Sequence, residues 1–448
     1  MTTDPLAPLD LAFWNMESPA HPMHLAALGV FTANSPTAGA HAADLLAARA
    51  AAVPGLRMRI RDVWRPFGPG PALPTAFGGA VREPAPGFDP HDHVLLHAPT
   101  DDFHAVAGRL MERPLDRDRP PWAAHVLPGE DGVSFAVLFK FHHALADGLR
   151  ALTLAAAVLD PVDLPARRAR PEEPRRPALP DVRRLPGLLR GAVSDVGRAL
   201  DIGVGLARSA ADVRSPAALT AEPTGTRRTA GAVLDIDDVH RVRKTAGGTV
   251  NDVVLAIVAG ALRRWLDERG AAGGAGLAPR ALVPVSRRRP RGAHPQGNRL
   301  SGYLIRLPVG EPDPLARLAE VRTAMDRSKD AGPHRGAGAA ALLADHVPPL
   351  GHRLAGPLAG RAARLWFDIL VTSVPLPGIA LRLGGHPLTA VHPFAPLAHG
   401  QALAIAVSTY RGHVHYGFVA DAFAVPDLGR LARAVNDELE TLLTVCGP

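Results

Sequence analysis

The chain has 448 residues, of which 47% are hydrophobic and 21% charged. This length and balance indicate a globular protein of two or three compact units and exclude a disordered or fibrous chain. The formal net charge of +7 suits a phosphate-bearing cosubstrate or an anionic membrane surface. Aromatic residues make up only 5%, so we predict no nucleic-acid binding.

Cys446 is the single cysteine of the chain, which excludes an intramolecular disulfide and a cysteine-based zinc cluster. The first residues lack the basic start and the apolar stretch of a secretory signal. The longest apolar runs, such as 253–262, are shorter than the ~20 residues that cross a bilayer. We therefore expect a cytoplasmic protein, soluble or peripheral to a membrane.

Strand and helix patterns alternate from the start of the chain. A buried strand is predicted over 24–32, and an Ala/Leu-rich helix over 40–52. Two apolar stretches, 122–127 and 133–141, flank a glycine-containing turn and predict a β-hairpin. After Gly148 the apolar residues take helical spacing, so a buried strand gives way to a helix at this point.

The composition changes sharply after residue 160, where prolines alternate with Arg and Glu. This stretch predicts an extended linker, followed by an amphipathic helix over 189–207 that packs on a lobe or, as the alternative, binds a membrane. Strand and helix patterns then resume. We predict an N-terminal lobe over 1–160, a linker region over 161–217 and a C-terminal lobe over 218–448.

The run His142-His143-Ala144-Leu145-Ala146-Asp147-Gly148 lies where the predicted strand becomes a helix. Histidine accepts a proton near neutral pH, so we interpret His143 as a general base and His142 as a residue that supports the loop. Asp147 is placed to organise the loop or to pair with an arginine. Gly148 would permit a backbone conformation that other residues resist.

Other chemistries find little support in the sequence. Adjacent histidines in a strand point to opposite faces, and no HExxH or CxxC companion exists, so no metal site is predicted. The G-x-S-x-G elbow of serine hydrolases and the glycine fingerprints of nucleotide sites are absent. Nothing in the sequence indicates a covalent enzyme intermediate or a bound cofactor.

The run at 142–148 matches the HHxxxDG motif of the chloramphenicol-acetyltransferase-like superfamily. Further blocks, in the same order, resemble those of the bacterial wax ester synthase/diacylglycerol acyltransferase family from about residue 8 to residue 445. These blocks are 8–24, 88–94, 114–122, 249–256, 284–288 and the pair Gly297-Asn298.

The resemblance implies an α/β fold of two chloramphenicol-acetyltransferase-like lobes with mixed sheets, joined by a crossover linker, with an active-site tunnel between them. It also implies that His143 deprotonates an acceptor hydroxyl, and that Asp147 forms a structural ion pair, for which we expect Arg288 as partner. Asn251 and Asp252 would support the site from the second lobe.

Asn251 and the basic run 287–289 each have two competing interpretations. Asn251 is equally suited to cap the helix that follows it. Asn298 is the second residue of the Gly-Asn pair, and only the resemblance implies a supporting role for it. The basic run 287–289 could meet the phosphates of coenzyme A, although a solvated basic face is the usual explanation.

One block departs from the family pattern. Where the family has a sequence like N-V-P-G-P, this chain has Ser373-Val374-Pro375-Leu376-Pro377. Thr372 and Ser373 could line the tunnel or donate a hydroxyl hydrogen bond to an oxyanion. Turn formation beside the prolines is the alternative.

The resemblance implies transfer of a fatty acyl group from acyl-coenzyme A, a cosubstrate, to the hydroxyl of a long-chain alcohol or diacylglycerol, which makes wax esters or triacylglycerols. Peripheral association with membranes or lipid droplets would follow from such lipophilic acceptors. Two alternatives stay open. One is an acyltransferase of specialised metabolism that acts on a natural-product hydroxyl or amine with a carrier-protein donor, and the other is a catalytically silent lipid-binding scaffold.

Overall fold

The structure is a computed structural model that describes residues 3–63, 79–161, 217–270, 277–286, 300–331, 349–354, 356, 366–376 and 378–447. Of the predicted linker region 161–217, residues 162–216, which include the predicted amphipathic helix, lie outside the described residues. The same holds for Arg288, for the run 287–289 around it, and for Asn298.

The described strands, in chain order, are β1 (Asp4–Pro5), β2 (His24–Thr32), β3 (Met58–Asp62), β4 (Ala80–Pro84), β5 (Val94–Leu96), β6 (Trp122–Pro128), β7 (Ser134–His142), β8 (Arg227–Asp235), β9 (Arg280–Ser286), β10 (Leu300–Arg306), β11 (Ile369–Ser373), β12 (Arg382–Leu383), β13 (His386–Phe394), β14 (Leu403–Tyr410) and β15 (His413–Asp421). The described α-helices are α1 (Pro8–Met16), α2 (Ala38–Ala50), α3 (Phe103–Met111), α4 (Gly148–Ala156), α5 (Ile236–Ala246), α6 (Val250–Glu268), α7 (Pro314–Ala331) and α8 (Leu428–Cys446).

The first lobe is built on a six-stranded sheet in the order β12-β13-β2-β7-β6-β5. Its centre contains the predicted hairpin, since β6 and β7 pair antiparallel, with Trp122 opposite Phe141. Every residue of β7 from Phe135 onward is buried. The reason is that β7 lies between two partner strands and has both faces covered, so its apolar run is nearly continuous.

The second lobe contains a six-stranded sheet in the order β10-β9-β11-β14-β15-β8. It is mixed, because β11 runs parallel to β14 and to β9 while the other pairs are antiparallel. The apolar run 253–262 forms the buried centre of α6 in this lobe's core. Within the described ranges, no single helix is long and apolar enough to cross a bilayer, and α5 and α6 meet that criterion only when counted together as a bent pair.

The C-terminal half of the chain contributes a strand to the central sheet of the first lobe. Strand β13 belongs to the C-terminal half of the sequence, yet it pairs antiparallel with β2 in the sheet of the first lobe, with Phe394 opposite Ala26. The division of the chain at 160 and 217 stays a prediction. The pairing of β13 with β2 matters for the site because it joins the first lobe's central strands to the segment that follows β11.

A three-stranded sheet in the order β1-β4-β3 completes the fold around the first lobe. Its buried Arg82 projects toward the loop between β7 and α4, where it donates to the carbonyl of Ala144. The small sheet therefore braces the loop that carries the histidine motif.

Candidate active site

The histidine motif forms a tight connection between β7 and α4, as its place in the sequence predicted. His142 is the last residue of β7, and its carbonyl accepts from the N–H groups of Leu145 and Ala146. Asp147 is the N-cap of α4, and its side chain accepts from the N–H of Arg150 at 2.8 Å. An N-cap aspartate satisfies one of the backbone N–H groups that a helix start leaves without a partner.

His143 lies half-buried in the wall of a cavity. Its N–H donates to the carbonyl of Met23 at 2.8 Å, and its ring stacks on Phe13. Burial lowers the pKa of the His143 ring to about 4, against the opposing effects of a hydrogen bond to its own backbone and of Asp147, and with His142 lowering it further. At neutral pH the ring is uncharged and can accept a proton.

His142 is buried and points away from the cavity, as expected for adjacent strand residues. Its Nδ1 accepts from the N–H of Ala144 at 3.0 Å. Its Nε2 lies 3.4 Å from Oε2 of Glu17. The two histidines thus occupy different environments, although their catalytic and supporting roles stay predictions.

Gly148 is needed for a different reason from the one that the sequence suggested. It has no positive φ and forms the first residue of α4. A Cβ at this position would lie 3.1 Å from Cγ2 of Val374. The glycine therefore permits close approach of α4 to the segment after β11, and the expectation of an unusual backbone conformation is wrong.

The predicted helix cap in the second lobe is displaced by two residues. Thr249 is the N-cap of α6, because its hydroxyl accepts from the N–H of Asp252 at 3.2 Å and Asp252 accepts from the N–H of Thr249 at 2.8 Å. This reciprocal pair is a capping box. Asn251 lies inside the first turn, so its interpretation as the cap is wrong. Neither Asn251 nor Asp252 lines the cavity, and their supporting role stays a prediction.

The cavity between the lobes has a volume of about 680 Å³ and an almost entirely apolar wall. Helices α1 and α4 and strands β2, β7 and β13 supply one side, and strands β9, β10, β11 and β14 supply the other. This volume lies within the range of sites for drug-sized ligands, roughly 300–1,000 Å³. Besides His143 and Asp147, its polar side chains belong to His352, Thr372, Ser373, His399 and Ser408.

Thr372 and Ser373 end β11, and both line this cavity. Ser408, on the paired strand β14, donates its hydroxyl to the carbonyl of Val374 at 2.6 Å. That contact fixes the segment against which Gly148 packs. The proposed oxyanion role of Thr372 and Ser373 stays a prediction.

Three charged residues with buried side chains at the motif, Asp10, Glu17 and Arg82, were not predicted from the sequence. Nη2 of Arg82 donates to Asp10 at 2.5 Å and to the carbonyl of Ala144 at 2.6 Å. The third is Glu17, which faces His142. Asp10 and Glu17 belong to the block 8–24, whose resemblance to the family was a usable signal, whereas nothing in the sequence singled out Arg82.

Comparisons with known proteins agree with this architecture. The family model of the wax ester synthase/diacylglycerol acyltransferase catalytic domain matches residues 6–254, and that of the WS/DGAT C-terminal domain matches residues 296–443. The Mycobacterium tuberculosis protein named "Probable diacyglycerol O-acyltransferase tgs2" is 32% identical over 468 aligned positions, which cover 99% of this chain and 100% of the relative.

Solved structures share the fold. The wax ester synthase/diacylglycerol acyltransferase from Marinobacter aquaeolei VT8 has a TM-score of 0.70 at 23% identity and covers 99% of this chain and 100% of its own. A starter condensation domain of rhizomide synthetase, solved with C8-CoA and Leu-SNAC, has a TM-score of 0.53 at 15% identity and covers 99% of this chain and 94% of its own. The predicted fold class and acyltransferase activity are confirmed, and the chain belongs to the wax ester synthase/diacylglycerol acyltransferase family.

Proposed function

We propose that the protein transfers a fatty acyl group from acyl-coenzyme A to the hydroxyl of a long-chain alcohol or diacylglycerol, with His143 as the general base. The observation that carries this proposal is an uncharged histidine in the wall of an apolar cavity of about 680 Å³ between two lobes. Acyl-coenzyme A is a cosubstrate in this scheme, and no resident cofactor takes part.

The reaction balances without a covalent enzyme intermediate. The acceptor hydroxyl gives its proton to His143 while its oxygen bonds to the thioester carbonyl carbon. The tetrahedral intermediate then collapses, the carbon–sulfur bond breaks, and the sulfur takes the proton from His143 as the coenzyme A thiol leaves. Base catalysis of this kind contributes roughly 10²–10⁴-fold. Hydroxyls of Thr372 and Ser373 are the proposed donors to the developing oxyanion.

The apolar wall supports a lipophilic acceptor. Alkyl chains gain about 25 cal/mol for each Å² that leaves water, and the same wall keeps competing water from the thioester. The Mycobacterium and Marinobacter relatives are named as a diacylglycerol acyltransferase and as a wax ester synthase/diacylglycerol acyltransferase, which supports diacylglycerol and the alcohol of a wax ester as the acceptor classes. Association with membranes or lipid droplets, where such acceptors partition, stays a prediction.

A second candidate rests on the altered block that begins at Ser373. Both the asparagine and the glycine of the family pattern are absent there, and Ser373 lines the cavity. The acceptor would then be a natural-product hydroxyl or amine, with a carrier protein in place of coenzyme A as the corresponding donor.

The test is thiol release from acyl-coenzyme A of several chain lengths with hexadecanol, diacylglycerol, a small alcohol and an amine. We expect turnover with the long-chain acceptors and a loss of at least about 100-fold in His143→Ala. The matched control is His413→Ala, which removes an exposed histidine and should keep wild-type turnover. Wild-type turnover in His143→Ala would refute the mechanism. Exclusive use of the small alcohol or the amine would favour the second candidate. If none of the acceptors supports turnover, a lipid-binding scaffold would be favoured.

A further inference from the structure

Glu17 places a buried carboxylate directly behind the histidine motif. It follows α1 as the C-cap residue, and its side chain is 5% exposed. Oε1 accepts from the N–H of Met23 at 3.1 Å, and Oε2 lies 3.4 Å from Nε2 of His142. Each oxygen of the carboxylate therefore faces a nitrogen donor of its own.

The two nitrogens that face Glu17, the backbone N of Met23 and Nε2 of His142, connect it to the two histidines of the motif. The carbonyl of Met23 accepts from the N–H of His143 at 2.8 Å, so the Met23 peptide connects Glu17 to the backbone of His143. On the other side, Nδ1 of His142 accepts from the N–H of Ala144 at 3.0 Å. A neutral imidazole whose Nδ1 accepts has its proton on Nε2, which here faces Glu17.

Glu17 is ionised in this position. Burial by itself raises the pKa of its carboxyl, but the neighbouring His142 ring, the N–H of Met23 and the charge of Arg117 together hold the pKa below its ordinary value. Arg117 places Nη1 3.8 Å from Oε2 of Glu17 and lies over the ring of Trp14 at 3.7 Å. Only the ionised form can accept at both oxygens without presenting a donor to either neighbour.

We propose that Glu17 is a positioning residue for acyl transfer, whose two oxygens hold the ring of His142 and, through Met23, the backbone that carries His143. This inference rests on the proposed function, in which His143 is the base. The proposed role requires a carboxylate at position 17 and not only a side chain of the same shape. A glutamine has nearly the same shape, but its amide can accept from only one of the two donors and sets an N–H against the other.

A buried carboxylate that does not line the cavity is available for comparison in the second lobe. Glu438 has a side chain that is 2% exposed. Its Oε1 accepts from Arg317, and its Oε2 accepts from Arg264 at 3.1 Å. The change Glu438→Gln therefore removes a carboxylate of similar burial that is paired with two arginines and lies apart from the cavity.

The decisive variant is Glu17→Gln, with Glu438→Gln as its control. We expect kcat for acyl transfer to fall by about 10–100-fold in Glu17→Gln while KM for acyl-coenzyme A stays within about twofold, as for other residues that orient a catalytic side chain. Glu438→Gln should lower the midpoint of thermal unfolding and keep wild-type kcat in the folded protein. A Glu17→Gln enzyme with kcat within twofold of wild type would overturn the inference.

A measurement on the unaltered protein keeps the inference testable if Glu17→Gln does not fold. Nitrogen-15 NMR of histidine-labelled protein should show the Nε2–H tautomer for His142, and the Nδ1–H tautomer would overturn the inference. The outcomes also separate this inference from the proposed function. An inactive His143→Ala enzyme beside a fully active Glu17→Gln enzyme refutes only the role of Glu17, whereas a fully active His143→Ala enzyme refutes the proposed function itself.

Discussion

The rings of Phe13 and His143 are stacked, with centroids 4.0 Å apart and planes inclined by 23°. Phe13 comes from α1, near the start of the chain, and both side chains line the cavity. An aromatic ring against one face of the imidazole removes water from that face, and this loss of water disfavours the cation. The stack thus contributes to the burial that keeps His143 uncharged at neutral pH.

The lowered pKa of His143 predicts an unusual pH profile for catalysis. Because burial brings this pKa to about 4, the base stays deprotonated well below the ordinary histidine value of about 6.5. We expect kcat/KM for acyl transfer to be nearly constant from pH 8 to about pH 5 and to fall only toward pH 4. A tenfold loss per pH unit that begins near pH 6.5 would contradict this prediction.

Unfolding must be measured beside this profile, because other buried histidines respond to the same pH range. Burial also lowers the pKa of His21, His104 and His415 to about 4 each. The unfolded chain therefore binds more protons than the folded one between about pH 6.5 and pH 4, so the free energy of unfolding decreases as the pH falls through that window. Rates at low pH should be divided by the folded fraction, determined by circular dichroism.

The contact between Gly148 and Val374 predicts a rescue. A valine at position 148 would clash with the Val374 side chain, because even its Cβ would lie only 3.1 Å from Cγ2 of Val374. We expect Gly148→Val to lower kcat by about tenfold or more, and Val374→Ala to restore much of the loss in the double variant, because residues in contact couple by about 0.5–3 kcal/mol. Val374→Ala alone is the control, and additive effects of the two changes would argue against the contact.

Arg82 allows stability and activity to be separated. Arg82→Met breaks a buried pair with Asp10 and should cost about 3–5 kcal/mol of unfolding free energy, because the two side chains are only 5% and 1% exposed. Adding Asp10→Leu removes the second charge and should recover part of that stability. The loop then still lacks the hydrogen bond to the Ala144 carbonyl, so we expect kcat to stay low in the double variant. Denaturant unfolding and turnover measured together decide this, and a kcat that recovers along with stability would contradict a role in holding the loop.

The local spacing of apolar residues was sufficient to predict the strand and the helix that carry the histidine motif. Alternating apolar residues predicted the hairpin of β6 and β7, and the change to helical spacing after Gly148 located the start of α4. Pattern was insufficient for the cap of α6. The helix-forming run began near Asn251, but the N-cap is the residue whose side chain accepts from the N–H of Asp252. The structure shows that this residue is Thr249.

The sequence by itself determined the family and the strand-to-helix position of the histidine motif, and it predicted His143 as the base, because those conclusions depend on residue order over short spans. Only the tertiary structure decided what surrounds His143. Glu17 and His142 are far apart in sequence, as are Arg82 and Ala144, or Gly148 and Val374, and no periodicity connects such pairs. These residues come into contact because the fold packs distant segments of the chain together, and each buried charge or close backbone approach is then satisfied by a residue from another segment.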